Sequence, residues 1–543
     1  MKGMMMNRPL KIADIIDYAA DTFPMGEIVS VRTEGDIHRY TYADAAKRVA
    51  QLAHGLRGIG VKPGDRIATL AWNGYRHFEL YYAISGIGAV CHTINPRLSA
   101  EQMEYIVNHA EDRVLCVDVT FVPLVEALRD KFPKGMKVVV MTDRAHMPDT
   151  SMDILCYEDL LEGQPEAIDW PDFPEDTASG LCYTSGTTGN PKGTLYTHRS
   201  TVLHAFIECT ALPKVFQEGR RILPVVPLFH VNAWGLPYAA PLSGASLIFP
   251  GAALDGKSVF DLMEQEKVYS AWGVPTVWLG LMGQIREEGR IPDGFRHLVV
   301  GGSAAPASMI AGFEEMGVEV CHAWGMTEMS PIGTQGTLPS SMESLSVGEK
   351  LAVKSKQGRR VFGVELKIVD EDGARLPHDG EAAGELYVRG NTITAGYFHN
   401  AEASAAAFDA DGWFGTGDVA TVSPDGFLNI TDRAKDLIKS GGEWISSLDL
   451  ENVVMAHPDV ANCAVIAVPH PKWDERPLLV VVPEAGKHPA KADLMAALSE
   501  HFAKWQLPDD VVFVEALPLT ATGKVSKLSL RRAYADHDLD LPE

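Results

Sequence analysis

Apolar positions recur along the first two thirds of the chain with two alternating periods, and that alternation predicts the fold class. In "TYADAAKRVAQLAHGLRGIG" (41–60), Ala45, Val49, Leu52, Ala53 and Leu56 fall on one face of a helix. Thr41 and Asp44 have capping-box spacing, and Gly58 and Gly60 suit the exit. "DRIATLAW" reads as a buried strand, "YRHFELYYAISGIG" as a helix, and "RVLCVD" and "KVVVMTD" as further strands. The pattern returns in "RILPVVPLF", "ASLIFP", "FRHLVVGG" and "VEVCHAWG". Strands alternating with helices predict an α/β domain whose mainly parallel sheets are covered on both faces. Several of these strands run into loops of Gly, Ser, His or Thr, where ligands gather in open α/β sheets.

After about residue 345 the texture changes. "GVELKIVDEDG", "GELYVRG" and "VATVSPDGFLNITD" read as shorter, partly antiparallel strands, with Pro424-Asp425-Gly426 as a turn. A compact tail follows: a helix through "SLDLENVVMAH", strands "CAVIAVP" and "PLLVVVP", a helix "KADLMAALSEHFAKWQ", and a last glycine-bearing loop. The expected division is a large domain over residues 1–432 and a small α+β domain over 433–543, joined near "TDRAKD".

Composition narrows the function. The chain has 543 residues, 46% hydrophobic and 22% charged, an ordinary globular mix long enough for more than one domain. A formal net charge of −24 argues against a nucleic-acid surface. It also repels small anions at long range, so a phosphate site must supply its own positive field. Cys91, Cys116, Cys156, Cys182, Cys209, Cys321 and Cys463 are scattered and form no CxxC pair, which fits free thiols in a reducing, cytoplasmic setting and argues against zinc. No run approaches about 18 apolar residues, so no membrane span is expected. The first residues lack the pattern of a signal peptide, and "DLDLPE" is not a peroxisomal address.

The stretch that points to chemistry is "YTSGTTGNPKG" (183–193). Its glycines let backbone N–H groups converge on oxygens, and its hydroxyls add donors, so it reads as a phosphate cradle and not as a surface linker. It is not a Walker loop, because Pro191 stands between Gly189 and Lys192. "GTGDVA" (415–420) mimics a dinucleotide fingerprint but leads into a strand. "TGKV" (522–525) lacks the upstream glycine of a Walker loop.

The cradle resembles the signature of the adenylate-forming superfamily: acyl-CoA synthetases, luciferases and the adenylation domains of peptide synthetases. Further motifs follow in that family's order: "PLFHVNAWG" (227–235), "GGSAAP" (301–306), "HAWGMTE" (322–328), "GWFGTGD" (412–418), "DRAKDLIKSGGEWIS" (432–446) and "PLTATGK" (518–524). The resemblance implies a large domain of mainly parallel sheets with a distorted β-barrel subdomain, and a small mobile C-terminal domain. It implies ATP, Mg²⁺ and coenzyme A as ligands.

Residue by residue, the resemblance assigns Thr184, Ser185, Gly186, Thr187, Thr188, Gly189 and Lys192 to the ATP phosphates. Ser303, Ala304, Ala305, Trp324, Gly325, Met326 and Thr327 would lie beside adenine and the α-phosphate, and Asp418 and Arg433 at the ribose. Glu328 and the Thr184 hydroxyl would hold Mg²⁺. His230, Val231, Trp234, Gly301, Gly302, Trp324 and Pro331 would line the acyl pocket. Ser440, Gly441, Gly442, Glu443 and Trp444 would form the channel for the pantetheine arm, and Lys435 the hinge. Lys524 would be the catalytic cation, reaching in from the small domain to offset charge as a carboxylate attacks the α-phosphorus.

Val231 stands where peptide synthetases place an aspartate for an amino group, so an amino-acid substrate is not expected, and free coenzyme A is the expected thiol. Trp234, Trp324, Val231 and Pro331 imply an apolar pocket. The bacterial branch with fatty-acyl-CoA and methylmercaptopropionate-CoA ligases is the nearest likeness, which favours a short apolar acid such as 3-(methylthio)propanoate, with medium or long fatty acids as the alternative. Two other classes stay open at this stage: a non-catalytic sensor of nucleotide or acyl groups, and luciferase-like oxidation of the adenylate. Many relatives pair as dimers, so a homodimer is an expectation from the resemblance alone.

Overall fold

The computed structural model describes residues 1, 3–184, 190–440, 443–520, 524–535 and 537. Among these, one seven-stranded sheet runs in the order Ile154–Cys156, Lys137–Val140, Val114–Val117, Arg66–Leu70, Val90–Thr93, Ala178–Tyr183, Gly193–Thr197. It is parallel up to Ala178–Tyr183, and Gly193–Thr197 returns antiparallel at its edge. The cradle sequence is therefore the turn between the last two strands. The helix read from the first apolar stripe spans Tyr42–Gly58, with the capping box made by Thr41 and Asp44.

The second sheet has 13 strands. Ser246–Phe249, Arg221–Pro224, Ser270–Gly273, His297–Val300 and Glu319–Gly325 form its parallel half. Leu298, Val299 and Val300 are all buried, as strands covered on both faces require. At Glu319–Gly325 the sense changes. This strand pairs parallel with His297–Val300 on one side and antiparallel with Ile332–Gln335 on the other. Antiparallel strands then continue to an open edge at Val364–Val369, so the expected barrel does not close. One strand shared by both halves keeps the hydrogen-bonded ladder a single sheet with two ends.

Aromatic side chains fill the space between the two large sheets. Phe78, Tyr81, Tyr82, Phe249 and Trp272 belong to one buried cluster. The helix Tyr75–Gly86 passes through it with every residue buried.

Residues 438–513 build a third sheet of five strands, with Asp510–Phe513 parallel to Asp474–Pro483 and the other pairs antiparallel. Alternation along Val460–His470 sends Val465 to one face, under the helices Ser447–Val454 and Lys491–Ser499. It sends Ile466 to the other face, with Leu530 of the helix Lys527–Ala533. The helix expected through "KADLMAALSEHFAKWQ" stops at Ser499 and resumes only as a short turn at Lys504–Gln506.

Polar contacts join this unit to the strand Phe427–Arg433. One Asp432 carboxylate oxygen accepts from both the backbone N–H and the hydroxyl of Ser447 at 2.7 Å. Lys527 donates to that hydroxyl at 2.6 Å and pairs with Glu451 at 2.7 Å. Burial works against the charge on Lys527, but Glu451 and Asp432 outweigh it and push its pKa up. Arg531, one turn on, donates to the Lys435 carbonyl at 2.6 Å. All seven cysteines are free thiols, and among the described residues no helix is long and apolar enough to cross a membrane.

Candidate active site

The strand Ala178–Tyr183 delivers Thr184 to the carboxyl end of its sheet. Ser185, Gly186, Thr187, Thr188 and Gly189 lie outside the described residues, but both ends of their loop are placed. The Thr184 N–H donates to the Lys192 carbonyl at 2.9 Å, so the loop begins and ends at one point. The Lys192 ammonium sits 5.0 Å above the Tyr397 ring. The Tyr397 hydroxyl in turn donates to Glu328 at 2.9 Å. Glu328 is buried, on the short turn Thr327–Met329. Burial pushes its carboxyl up, opposed by the Tyr397 bond and the cations Arg433 and Lys192.

The motifs at 183–193 and 322–328 therefore converge, as their assignment to one phosphate site requires. Tyr397 was missed in the sequence; its only signal there was an aromatic after Gly396. Among the described residues no group of three or more His, Cys, Asp and Glu could enclose a metal. One buried carboxylate with a nearby hydroxyl suits Mg²⁺, a hard ion that keeps water and substrate phosphates in most of its positions.

Asp418, from Phe414–Val422, is directly opposite Arg433 in the antiparallel ladder. The Arg433 guanidinium lies 3.2 Å from one carboxylate oxygen, and the Trp324 indole N–H donates to the other at 2.9 Å. Each oxygen keeps a lone pair for a further donor, such as a ribose hydroxyl. Trp324 sits at a register shift in its strand, where a bulge re-aims a side chain. Gly325 is required next to it: a Cβ there would lie 2.1 Å from the Pro331 carbonyl oxygen.

Gly302 is the meeting point of the site. Its φ is +82°, and a Cβ there would come 3.2 Å from Val274, 3.4 Å from Lys524 Cε and 3.7 Å from the Trp234 ring. A Cβ at Gly301 would meet the same ring at 3.3 Å. The stem of Lys524 thus lies on the "GGSAAP" loop, far from it in sequence, with Ser303 exposed and Ala305 buried just beyond. Burial lowers the Lys524 pKa to about 8, helped by Arg433 and Lys435 and opposed by Asp418 and Glu328. Burial and Lys524 together hold His230 down to about 3, so its imidazole is neutral.

The four residues after His230 are unusual. Val231, Asn232, Ala233 and Trp234 have φ of 47°, 54°, 48° and 57°, a left-handed turn made without glycine until Gly235. Such backbone costs about 1–2 kcal/mol per residue, so the packing of Val231 and Trp234 must hold it. Val231 is 3% exposed, against Cys182 and Tyr196. No periodicity in the sequence signals this turn.

The hairpin Ile438–Ser440/Glu443–Ile445 holds the residues expected to form the thiol channel. Gly441 and Gly442 lie outside the described residues. Ser440 is buried and accepts from Arg476 at 3.0 Å, whereas Glu443 and Trp444 are exposed, with Lys439 over the indole at 5.5 Å. The structure thus gathers Lys524, Gly302, Trp234, Asp418 and Arg433 in one place, with Glu443 and Trp444 exposed to solvent.

Comparison with known proteins gives concordant likenesses. Residues 16–398 match the AMP-binding enzyme model and residues 449–524 the AMP-binding enzyme C-terminal domain. A 3-methylmercaptopropionyl-CoA ligase of Ruegeria lacuscaerulensis is 50% identical over 538 residues, covering 99% of each chain. A medium-chain-fatty-acid–CoA ligase of Ectopseudomonas oleovorans is 48% identical, covering 99% of this chain and 98% of its own. An anthranilate CoA ligase solved with anthranoyl-AMP superposes with a TM-score of 0.85 at 26% identity, covering 97% of this chain and 98% of its own.

The crowding of cations around Lys524 is open to direct test. Its ammonium keeps a proton below pH of about 8 and loses it above. Modification of its amine by an acylating reagent should reach half its limiting rate near that pH, and Arg433→Ala should move the midpoint upward. A midpoint near ~10.4, the ordinary lysine value, would contradict the placement.

Proposed function

Because the chain belongs to the AMP-binding enzyme family, we propose a role for each part of its site. The enzyme is an acyl-CoA ligase that works through an acyl adenylate, taking a carboxylic acid, ATP and coenzyme A. The observation that carries the site assignment is the contact of Lys524 with Gly302, beside the Trp234 ring. A pure binder has no need of a cation there.

Asp418, with Arg433 beside it, holds the ribose, and Lys192 and the 184–189 loop hold the phosphates. Glu328 and Thr184 hold Mg²⁺, which when bound neutralises phosphate charge. Lys524 lies between the acid's carboxylate and the α-phosphate. The carboxylate oxygen attacks phosphorus, the bond to the bridging oxygen breaks, and pyrophosphate leaves. The ammonium offsets both anions as charge grows on the α-phosphate oxygens. His230, neutral and uncharged at working pH, adds no further repulsion to this cation.

Turning about Lys435 then withdraws Lys524 and brings the 440–444 segment to the adenylate. Its thiol guest attacks the acyl carbon, and AMP leaves. The bonds of Asp432 to Ser447 span this hinge and hold the arrangement suited to the first step. The acid is short and apolar, of the 3-(methylthio)propanoate type, a reading supported by the relative from Ruegeria lacuscaerulensis and by the Trp234 ring packed against Gly301 and Gly302. Medium-chain fatty acids are the second reading, favoured by the relative from Ectopseudomonas oleovorans.

Acid-dependent ATP–pyrophosphate exchange tests the ligase against a sensor, and thioester formation without oxygen uptake tests it against an oxidase. Lys524→Ala should lower the exchange rate at least ~10²-fold while ATP still binds; exchange at the parental rate would remove Lys524 from this role. Trp234→Ala should broaden turnover across acids from propanoate to hexadecanoate. An unchanged profile would remove Trp234 as the pocket's limit.

A further inference from the structure

The helix His198–Ala211 carries a buried pair that the reaction above does not use. His204 and Glu208, one turn apart, are 1% and 0% exposed. His204 Nε2 accepts the Ile332 backbone N–H at 3.0 Å. Burial holds this ring neutral, at a pKa of about 3. A neutral ring that accepts at Nε2 carries its proton on Nδ1. That Nδ1–H faces Glu208 Oε2 across 3.8 Å, too far for a hydrogen bond. Among the described residues neither Glu208 oxygen has a hydrogen-bond partner. Burial pushes its carboxyl well above the ordinary range, so it is a neutral acid with an O–H to donate. The buried Glu208 carboxyl thus stands unanswered among the described residues, which native proteins rarely tolerate without a ligand or a water.

Their position says which ligand. A Cβ at Gly235 would lie 2.6 Å from the His204 ring and 2.8 Å from Glu208 Oε2, so the backbone after Trp234 rests on the pair. Ile332, held by His204, follows Pro331. Ile207, between them on the helix, packs with Met329, Ile332 and Trp324. The pair therefore lies where the two segments assigned to the acyl pocket meet.

We propose that His204 and Glu208 form a polar wall of the acyl pocket that donates a hydrogen bond to an acceptor atom in the acyl chain, and so selects acids with a thioether or ether atom over all-methylene acids of equal length. This rests on the ligase reading and deepens it. An all-carbon chain leaves the Glu208 O–H unpaired against apolar surface, whereas a heteroatom one bond short of the chain end answers it.

The test compares kcat/KM for 3-(methylthio)propanoate, 3-methoxypropanoate and pentanoate in the parent, Glu208→Gln and Glu208→Leu. The parent should favour both heteroatom acids over pentanoate by about 3- to 10-fold, the worth of one neutral hydrogen bond. Glu208→Gln, which keeps a donor, should retain the preference, and Glu208→Leu should abolish it while raising pentanoate turnover. A parent that treats pentanoate as well as the heteroatom acids overturns the proposal without any variant, as does an active Glu208→Leu enzyme with the parental ratio; a pair that merely holds a water gives that flat result. Absence of thioester from every acid would remove the ligase reading and this proposal together, whereas turnover with a flat ratio removes this proposal alone.

Discussion

The site depends on keeping positive charge in a confined place within a strongly acidic protein. With a net charge of −24, the molecule repels both ATP and a carboxylate at a distance. Lys192, the Arg433 and Lys435 pair and Lys524 are brought together, with the carboxylates of Asp418, Glu328 and Asp436 among them. Burial first, and then Arg433 and Lys435, depress the pKa of Lys524 to about 8. An unliganded site of this kind is electrostatically strained, and polyanionic substrate relieves the strain. Nucleotide binding and the protonation of Lys524 must therefore favour one another.

In the proposed two-step reaction, carrying Lys524 on the C-terminal unit ties chemistry to motion of that unit. The Asp432–Ser447 bonds and the grip of Arg531 on the Lys435 carbonyl hold the C-terminal sheet against the strand Phe427–Arg433. The pocket side, in contrast, is built of fixed parts: a left-handed turn at Val231–Trp234 and glycines at 235, 301, 302 and 325 whose missing side chains let ring, carbonyl and lysine approach.

Much of this was legible in the residues. The Thr41–Asp44 box, the parallel strands and the turn at 424–426 follow from local pattern alone, because periodicity and capping are local physics. The chemistry was legible through motifs that space glycines, hydroxyls and charges for phosphate. What the residues did not disclose depends on contacts distant in sequence. The antiparallel strands were expected to wrap into a barrel, but sharing Glu319–Gly325 with the parallel half leaves the ladder open. The helix His198–Ala211 has no clean apolar stripe, since His204 and Glu208 are buried beside its apolar residues, and its role at the pocket was invisible. Tyr397 gained meaning only when Glu328 and Lys192 appeared on either side of it.

The most direct test of the account separates the two half-reactions. Chemically prepared acyl-AMP and coenzyme A bypass the step in which anion meets anion. If Lys524 serves only that step, the Lys524→Ala enzyme should convert the prepared adenylate to thioester at a rate within a few-fold of the parent. Loss of thioester formation from acyl-AMP as deep as the loss from the acid and ATP would contradict the claim that the inserted cation exists to bring two negative groups together.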